Sequence, residues 1–173
     1  MVISNREDCV TPPQVDRQKW LVVAGALAFA SVTYGIVLEV VSRSPVPEVP
    51  NAGDLGLVAM VGATICAAGS VLWTRLKVRR PVEAAAQGSV EGAMLPDPAA
   101  FQRASLVGMA LAEAVAIFGF TYCIAGHLGA ARFLPFGVPA LLLIVLDGIP
   151  AGLAYWNAWD ARAGSGGGDA PIG

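Results

Sequence analysis

The sequence predicts an all-α, polytopic membrane protein of four transmembrane helices, arranged as two hairpins with both termini in the cytoplasm. Three observations predict it. Of the 173 residues 55% are hydrophobic and only 14% charged, against roughly 25% charged in soluble domains. The charges are nearly absent from four runs of the length a bilayer demands, about 20 residues at ~1.5 Å rise for a ~30 Å core, and crowd into the segments between them. Lysine and arginine then divide nine to two between the two sides of such a layout. No basic stripe interleaved with aromatics is present, which excludes a nucleic-acid partner.

Residues 1–19 read as a cytoplasmic tail carrying Cys9, Arg6, Arg17 and Lys19. The first apolar run, Trp20 to Val41, exceeds the 7–15 residues of a signal h-region and is followed by no small-x-small cleavage site before Arg43, so it reads as a retained helix. The second runs from Leu55 to Trp73 and closes a first hairpin over residues 20–80. Residues 81–100, with three prolines and three acids between Pro81 and Pro98, read as a flexible cytoplasmic connector. The third run, Ala104 to Ala125, and the fourth, Leu134 to Trp156, form a second hairpin over residues 101–157. Residues 158–173, ending in a glycine-rich stretch, read as a disordered tail.

Hydrocarbon offers no partner to a backbone amide or carbonyl, so each run must be a helix. Arg6, Arg17, Lys19, Arg75, Lys77, Arg79, Arg80, Arg103 and Arg162 fall on one side and Arg43 and Arg132 on the other, which makes the first side cytoplasmic; the expected host is the cell (inner) membrane. Trp20, Trp73 and Trp156 are then expected at the cytoplasmic interface. Cys66 and Cys123 read as small packing residues, and His127 as an interfacial residue at an outer helix end. Neither a metal nor a cofactor is called for, and no nucleophile with an adjacent base points to an enzyme.

The two hairpins align with each other. Ala26 to Gly35 matches Ala110 to Gly119 at an offset of 84 residues, and Ala68-Gly69 with Trp73 matches Ala151-Gly152 with Trp156 at 83, which suggests an internal duplication. Phe29 then corresponds to Glu113 and Thr64 to Asp147, so one copy carries acids that the other lacks.

Glu113 and Asp147 are the acids placed well inside the apolar runs. A carboxylate there costs about 2.5–3.5 kcal/mol on insertion scales, so such a group is protonated, paired or turned to a polar cavity. Helical rise puts Glu113 roughly 13–14 Å and Asp147 roughly 15 Å from the cytoplasmic side. Two acids at one level on neighbouring helices can share a proton if they touch, or they can simply tie the helices together. Glu39, about 28 Å beyond Trp20, belongs at the outer interface. Pro150 deprives the Leu146 carbonyl of its helical partner beside Asp147 and predicts a helix break. Gly148 and Gly152 make a Gly-xxx-Gly packing face, and Gly108, Ala112 and Ala116 a comparable ridge on the third helix.

The segment from Gly108 to Gly119, with glycine five positions before Glu113 and Phe118-Gly119 following it, resembles the carboxylate-bearing helix of the c-subunit proteolipids of rotary ATPases. The second helix, with Gly56, Gly62 and Gly69 before Arg79-Arg80-Pro81, is similar to that family's glycine-rich first helix and basic turn. The resemblance implies a proton-binding role for Glu113, and Ala114, where sodium-binding relatives carry serine or threonine, favours a proton over Na⁺. Two functions are therefore expected in competition. One is a proteolipid-like protein whose Glu113, perhaps with Asp147, binds or carries a proton. The other is a non-transporting accessory or scaffold subunit with structural acids. Either implies the lipid bilayer and other membrane subunits, or further copies of this chain, as partners.

Overall fold

The computed structural model describes residues 13–44, 52–87 and 95–165, and the chain is helical through nearly all of them, with no strand among the described residues. Helix α1 spans Pro13–Val41 and α2 spans Ala52–Trp73; a π-helical turn, Thr74–Arg79, leads into α3, Arg80–Gln87. Helix α4 spans Pro98–Ala125 and α5 spans Ala130–Leu142; a second π turn, Leu143–Gly148, leads into α6, Ile149–Ser165. Four continuous helical spans long and apolar enough to cross a membrane result: Arg17–Val41, Asp54–Ala85, Pro98–Ala125 and Ala130–Arg162.

Helix extends further than hydropathy alone suggests. Helix α1 starts at Pro13, inside the expected tail, and α6 runs to Ser165; Cys9 and the glycine-rich end lie outside the described residues. The expected connector is helical over its first part, because the second span passes through Pro81 to Gln87. Both prolines are accommodated in one way. The Arg80 amide bonds the Arg75 carbonyl one residue before Pro81, and the Ile149 amide bonds the Ile144 carbonyl one residue before Pro150. A proline ring clashes with the carbonyl four residues back; the wider π turn relieves that clash without ending the helix. The helix break expected at Pro150 is thus a π turn. Helix α4 starts on Asp97, whose carboxylate accepts from the Ala99 and Ala100 amides, with Pro98 in the first turn, a position where its missing amide costs nothing.

Helix α4 is the centre of the bundle. Helices α2, α1 and α5 all pack on it, and α1 packs on α5, whereas α1 and α2 scarcely touch. The expected first hairpin is therefore adjacent in sequence only, whereas α4 packs both on α5, as in the expected second hairpin, and on α2, the span before it. The reason lies in the small residues. Gly56, Gly62 and Gly69 of α2 face Tyr122, Phe118 and Leu111 of α4 in antiparallel order, so backbone meets ring and the helices approach closely. Ser70 donates to the Gly108 carbonyl at 2.8 Å and Trp73 to the Ala104 carbonyl at 2.7 Å, fixing the register. Toward the Arg17 end, Trp20, Phe101, Met109, Ile144, Tyr155 and Trp156 form one apolar cluster; toward the Glu39 end, Leu38, Val115, Cys123, Phe133 and Phe136 form another. Trp20 and Trp156 are accordingly buried against other helices, 2% and 0% exposed.

Large apolar side chains cover the outside of the bundle: Val22, Phe29 and Leu57 are 71%, 70% and 69% exposed. Water would penalise each at about 25 cal/mol per Å², and lipid would not. The four spans suggest a membrane protein that crosses the bilayer more than once.

The turn after α4 closes with the Leu128 amide on the Cys123 carbonyl and the His127 amide on the Ile124 carbonyl. This pattern puts a left-handed residue at position 127, usually glycine. Here it is His127, φ 49°, with its Nδ1 buried and unpartnered. His127→Gly is expected to stabilise the protein by about 0.5–1 kcal/mol by relieving that backbone strain, read as a higher melting temperature in detergent; a lower one would overturn the assignment.

Candidate functional site

Glu113 lies midway along α4, on the side facing α1. It is 5% exposed, and the Ser31 hydroxyl donates to its Oε2 at 2.8 Å. The Tyr34 phenol, one turn further along α1, stands beside the same carboxyl. Its other oxygen, Oε1, is buried with no hydrogen-bond partner. A buried carboxyl with one donor and one bare oxygen is unusual, because an unpaired acceptor in an apolar setting costs about 1–3 kcal/mol.

Packing holds it there. One turn toward the Arg17 end lies Met109, 1% exposed and pressed by α4 against Gly148, where an added Cβ would come within 2.9 Å of Met109 Cγ. Ala112 and Ala116 beside Glu113 are 1% and 0% exposed, and Gly108 faces Thr74, whose Oγ1 would stand 2.7 Å from an added Cβ. The small-residue ridge Gly108-Ala112-Ala116 is thus wholly buried, and it brings α4 close enough to its neighbours for a short serine to reach Glu113.

Asp147 does not share this site. It sits in the second π turn and pairs with Arg79, the last residue of the first π turn, at 2.6 Å between Oδ1 and Nη2. The side chains of Arg79 and Asp147 are 39% and 21% exposed. The ion pair joins the two proline-linked bulges, each of which turns its side chains away from the register of a regular helix. A cavity of about 240 Å³, lined by Arg79, Val82, Glu83, Pro150, Ala151 and Ala154, adjoins it. The Gly-xxx-Gly face also divides its contacts: Gly148 meets Met109 of α4, while Gly152 meets the Trp20 ring of α1 so closely that any Cβ would overlap it.

The positions that the expected duplication would pair occupy unlike surroundings. Phe29, the counterpart of Glu113, is 70% exposed, and Thr64, the counterpart of Asp147, turns its hydroxyl back to the Met60 carbonyl. Trp73 and Trp156 do match in place, since both meet the first turns of α4, at Ala104 and Phe101. Glu39 is exposed and pairs with Arg43 at 2.9 Å.

Sequence reasoning missed Ser31, Tyr34 and Arg79 as partners of the two acids. A signal for Ser31 existed: it lies about 16 Å along α1 from Trp20 at ~1.5 Å per residue, near the depth estimated for Glu113. Among the described residues no group of three histidine, cysteine or acidic side chains converges as a metal site would require. Comparison of the chain with protein families, with curated proteins and with solved structures finds no match in any of the three.

Proposed function

We propose that this chain is a multi-pass protein of the cell (inner) membrane, with both termini cytoplasmic, in which Glu113 reversibly binds a proton. The observation that carries the reading is the buried carboxyl itself: Oε2 held by Ser31, Oε1 buried without a hydrogen-bond partner, and the Tyr34 phenol beside it. A carboxylate so placed pays for its charge in an apolar bundle, whereas the protonated acid does not. Gaining or losing that proton is then the chemistry the site can perform. The local resemblance to the carboxylate helix of the rotary c-subunit proteolipids supports it, as does the packing of α2 on α4, which pairs the Glu helix with the glycine-rich helix before it. Nine of eleven lysines and arginines on the Arg17 side support the orientation.

A second reading has an observation of its own. Asp147 is engaged by Arg79, so one of the two acids serves as a tie between spans, as an accessory or scaffold subunit of a membrane complex would use it. Other membrane subunits, or further copies of this chain, would then cover the exposed apolar faces.

A hydrophobic carbodiimide attacks protonated carboxyl groups and separates the readings. Glu113 is expected to be labelled selectively, less so as pH rises, with labelling abolished in Glu113→Gln. Glutamine keeps an acceptor for Ser31 while removing titration, so Glu113→Gln should assemble normally. An unreactive Glu113 in the folded wild-type chain would rule out the proton-binding role and leave the scaffold.

A further inference from the structure

The two halves of the bundle differ in how they close around Glu113. Toward the Arg17 end the way is filled: Met109 sits one turn below, and Trp20, Ile144, Tyr155 and Trp156 beyond it are each 2% exposed or less. Trp20 is locked in place by its bond to Ser105 at 3.0 Å.

Toward the Glu39 end the bundle is open along one seam. A cleft of about 190 Å³ lies between α1 and α5, walled by Gly35, Phe133 and Gly137, with Ser31 as a polar member of its lining. Ser31 is the residue that donates to Glu113. A second, shallower depression along α1 shares Val32 and Gly35 with this cleft and reaches Glu39 and Arg43. The two depressions thus adjoin at Val32 and Gly35, one reaching the exposed Glu39–Arg43 pair and the other the Ser31 hydroxyl that donates to Glu113.

We infer that Glu113 exchanges its proton with one side of the membrane only, the side carrying Glu39 and Arg43, through the α1–α5 cleft and the Ser31 hydroxyl. The inference rests on the proton-binding reading and gives it a direction. Ser31 is a positioning and relay residue in this route. A hydronium ion in the cleft passes a proton to a lone pair of Ser31 Oγ, leaving water, as the serine's own proton passes to the Glu113 carboxylate at Oε2, and release runs the same steps in reverse. In this conformation the chain is a one-sided proton site; passage to the other side requires the Met109 and tryptophan plug to move.

The test uses the full-length chain in sealed vesicles, with Cys9, Cys66 and Cys123 replaced by alanine and a single Glu113→Cys introduced. A charged, membrane-impermeant methanethiosulfonate is added to one side or the other. Modification from the Glu39 side, and not from the Arg17 side, is expected. Gly35→Leu, whose side chain grows toward Phe133, is expected to slow it at least about tenfold, an added barrier of roughly 1.4 kcal/mol. Gly35→Ala should leave it unchanged, because the Phe133 ring is 3.8 Å from that Cβ, ordinary contact distance. Equal or faster reaction from the Arg17 side, or no effect of Gly35→Leu, overturns the inference. Should Glu113→Cys fail to fold, Gly35→Cys alone reports the same thing: reaction from the Glu39 side supports the route, and reaction only from the other side, or none, refutes it. Carbodiimide inertness of native Glu113 would defeat the proton-binding reading while leaving the thiol result for the cleft intact, so the two failures are distinguishable.

Discussion

Gly152→Val is expected to cost about 3 kcal/mol or more, because no rearrangement short of moving a helix makes room for it. The glycine lies against the Trp20 ring closely enough that even an alanine Cβ would overlap it. Trp20 cannot yield cheaply: it is 2% exposed, packed in the core cluster, and bonded through Nε1 to Ser105. Displacing it breaks that bond and opens the α1–α6 contact, which also carries the exposed Arg17–Asp160 ion pair. Such surface pairs contribute only about 0–1 kcal/mol. Gly152→Ala should show a graded version of the effect, about 1–3 kcal/mol. The control is Gly25→Ala, since an added Cβ there meets nothing within 4 Å and helix propensity alone favours alanine by up to about 1 kcal/mol. Unfolding in mixed detergent, followed by tryptophan fluorescence, measures all three. Equal behaviour of Gly152→Ala and Gly25→Ala would show that the close contact with Trp20 does not exist.

That contact also marks where the sequence stops being informative. The four spans were legible because exclusion of charge from hydrocarbon acts locally on each run. Glu113 was legible for the same reason, as an exception to that exclusion, and Gly148 and Gly152 as residues that let helices approach. Which helix approaches was not legible. Adjacent spans are expected to pair, yet α1 packs on α4 and α5 and scarcely on α2, since Gly56, Gly62 and Gly69 of α2 face α4. Ser31 was hidden by ambiguity. A hydroxyl in an apolar helix can satisfy itself on the carbonyl four residues back, as Thr33 does on Phe29 and Thr64 on Met60; only the fold reveals that Ser31 turns to Glu113 instead. Arg79 was hidden by its place in a basic flank, where it counted toward orientation. The Pro81 that seemed to end the helix in fact sets the π turn in which Arg79 meets Asp147.

That ion pair is expected to respond asymmetrically when its two members are removed. Arg79→Leu leaves Asp147 alone in the second π turn, with a short side chain that cannot reach water by extending, and should cost about 2–3 kcal/mol, below the 3–5 of a fully buried pair because 21% of Asp147 is exposed. Asp147→Asn leaves an arginine that is already 39% exposed near the Arg17 end. Its long stem can carry the guanidinium to the headgroups, so the loss should stay near 1 kcal/mol or below. The double variant Arg79→Leu with Asp147→Asn should recover most of what Arg79→Leu loses, a coupling of about 1–2 kcal/mol in the cycle. A cycle that sums to zero, or Asp147→Asn proving the more damaging change, would show that the pair contributes nothing beyond its single members. The same variants carry a functional arm. Asp147 is held by Arg79 and Glu113 by Ser31, so the two acids share no partner, and Asp147→Asn should leave carbodiimide labelling of Glu113 intact. If labelling instead vanished with Asp147, the acids would act as one proton-sharing pair, and the separation of the two sites would fail.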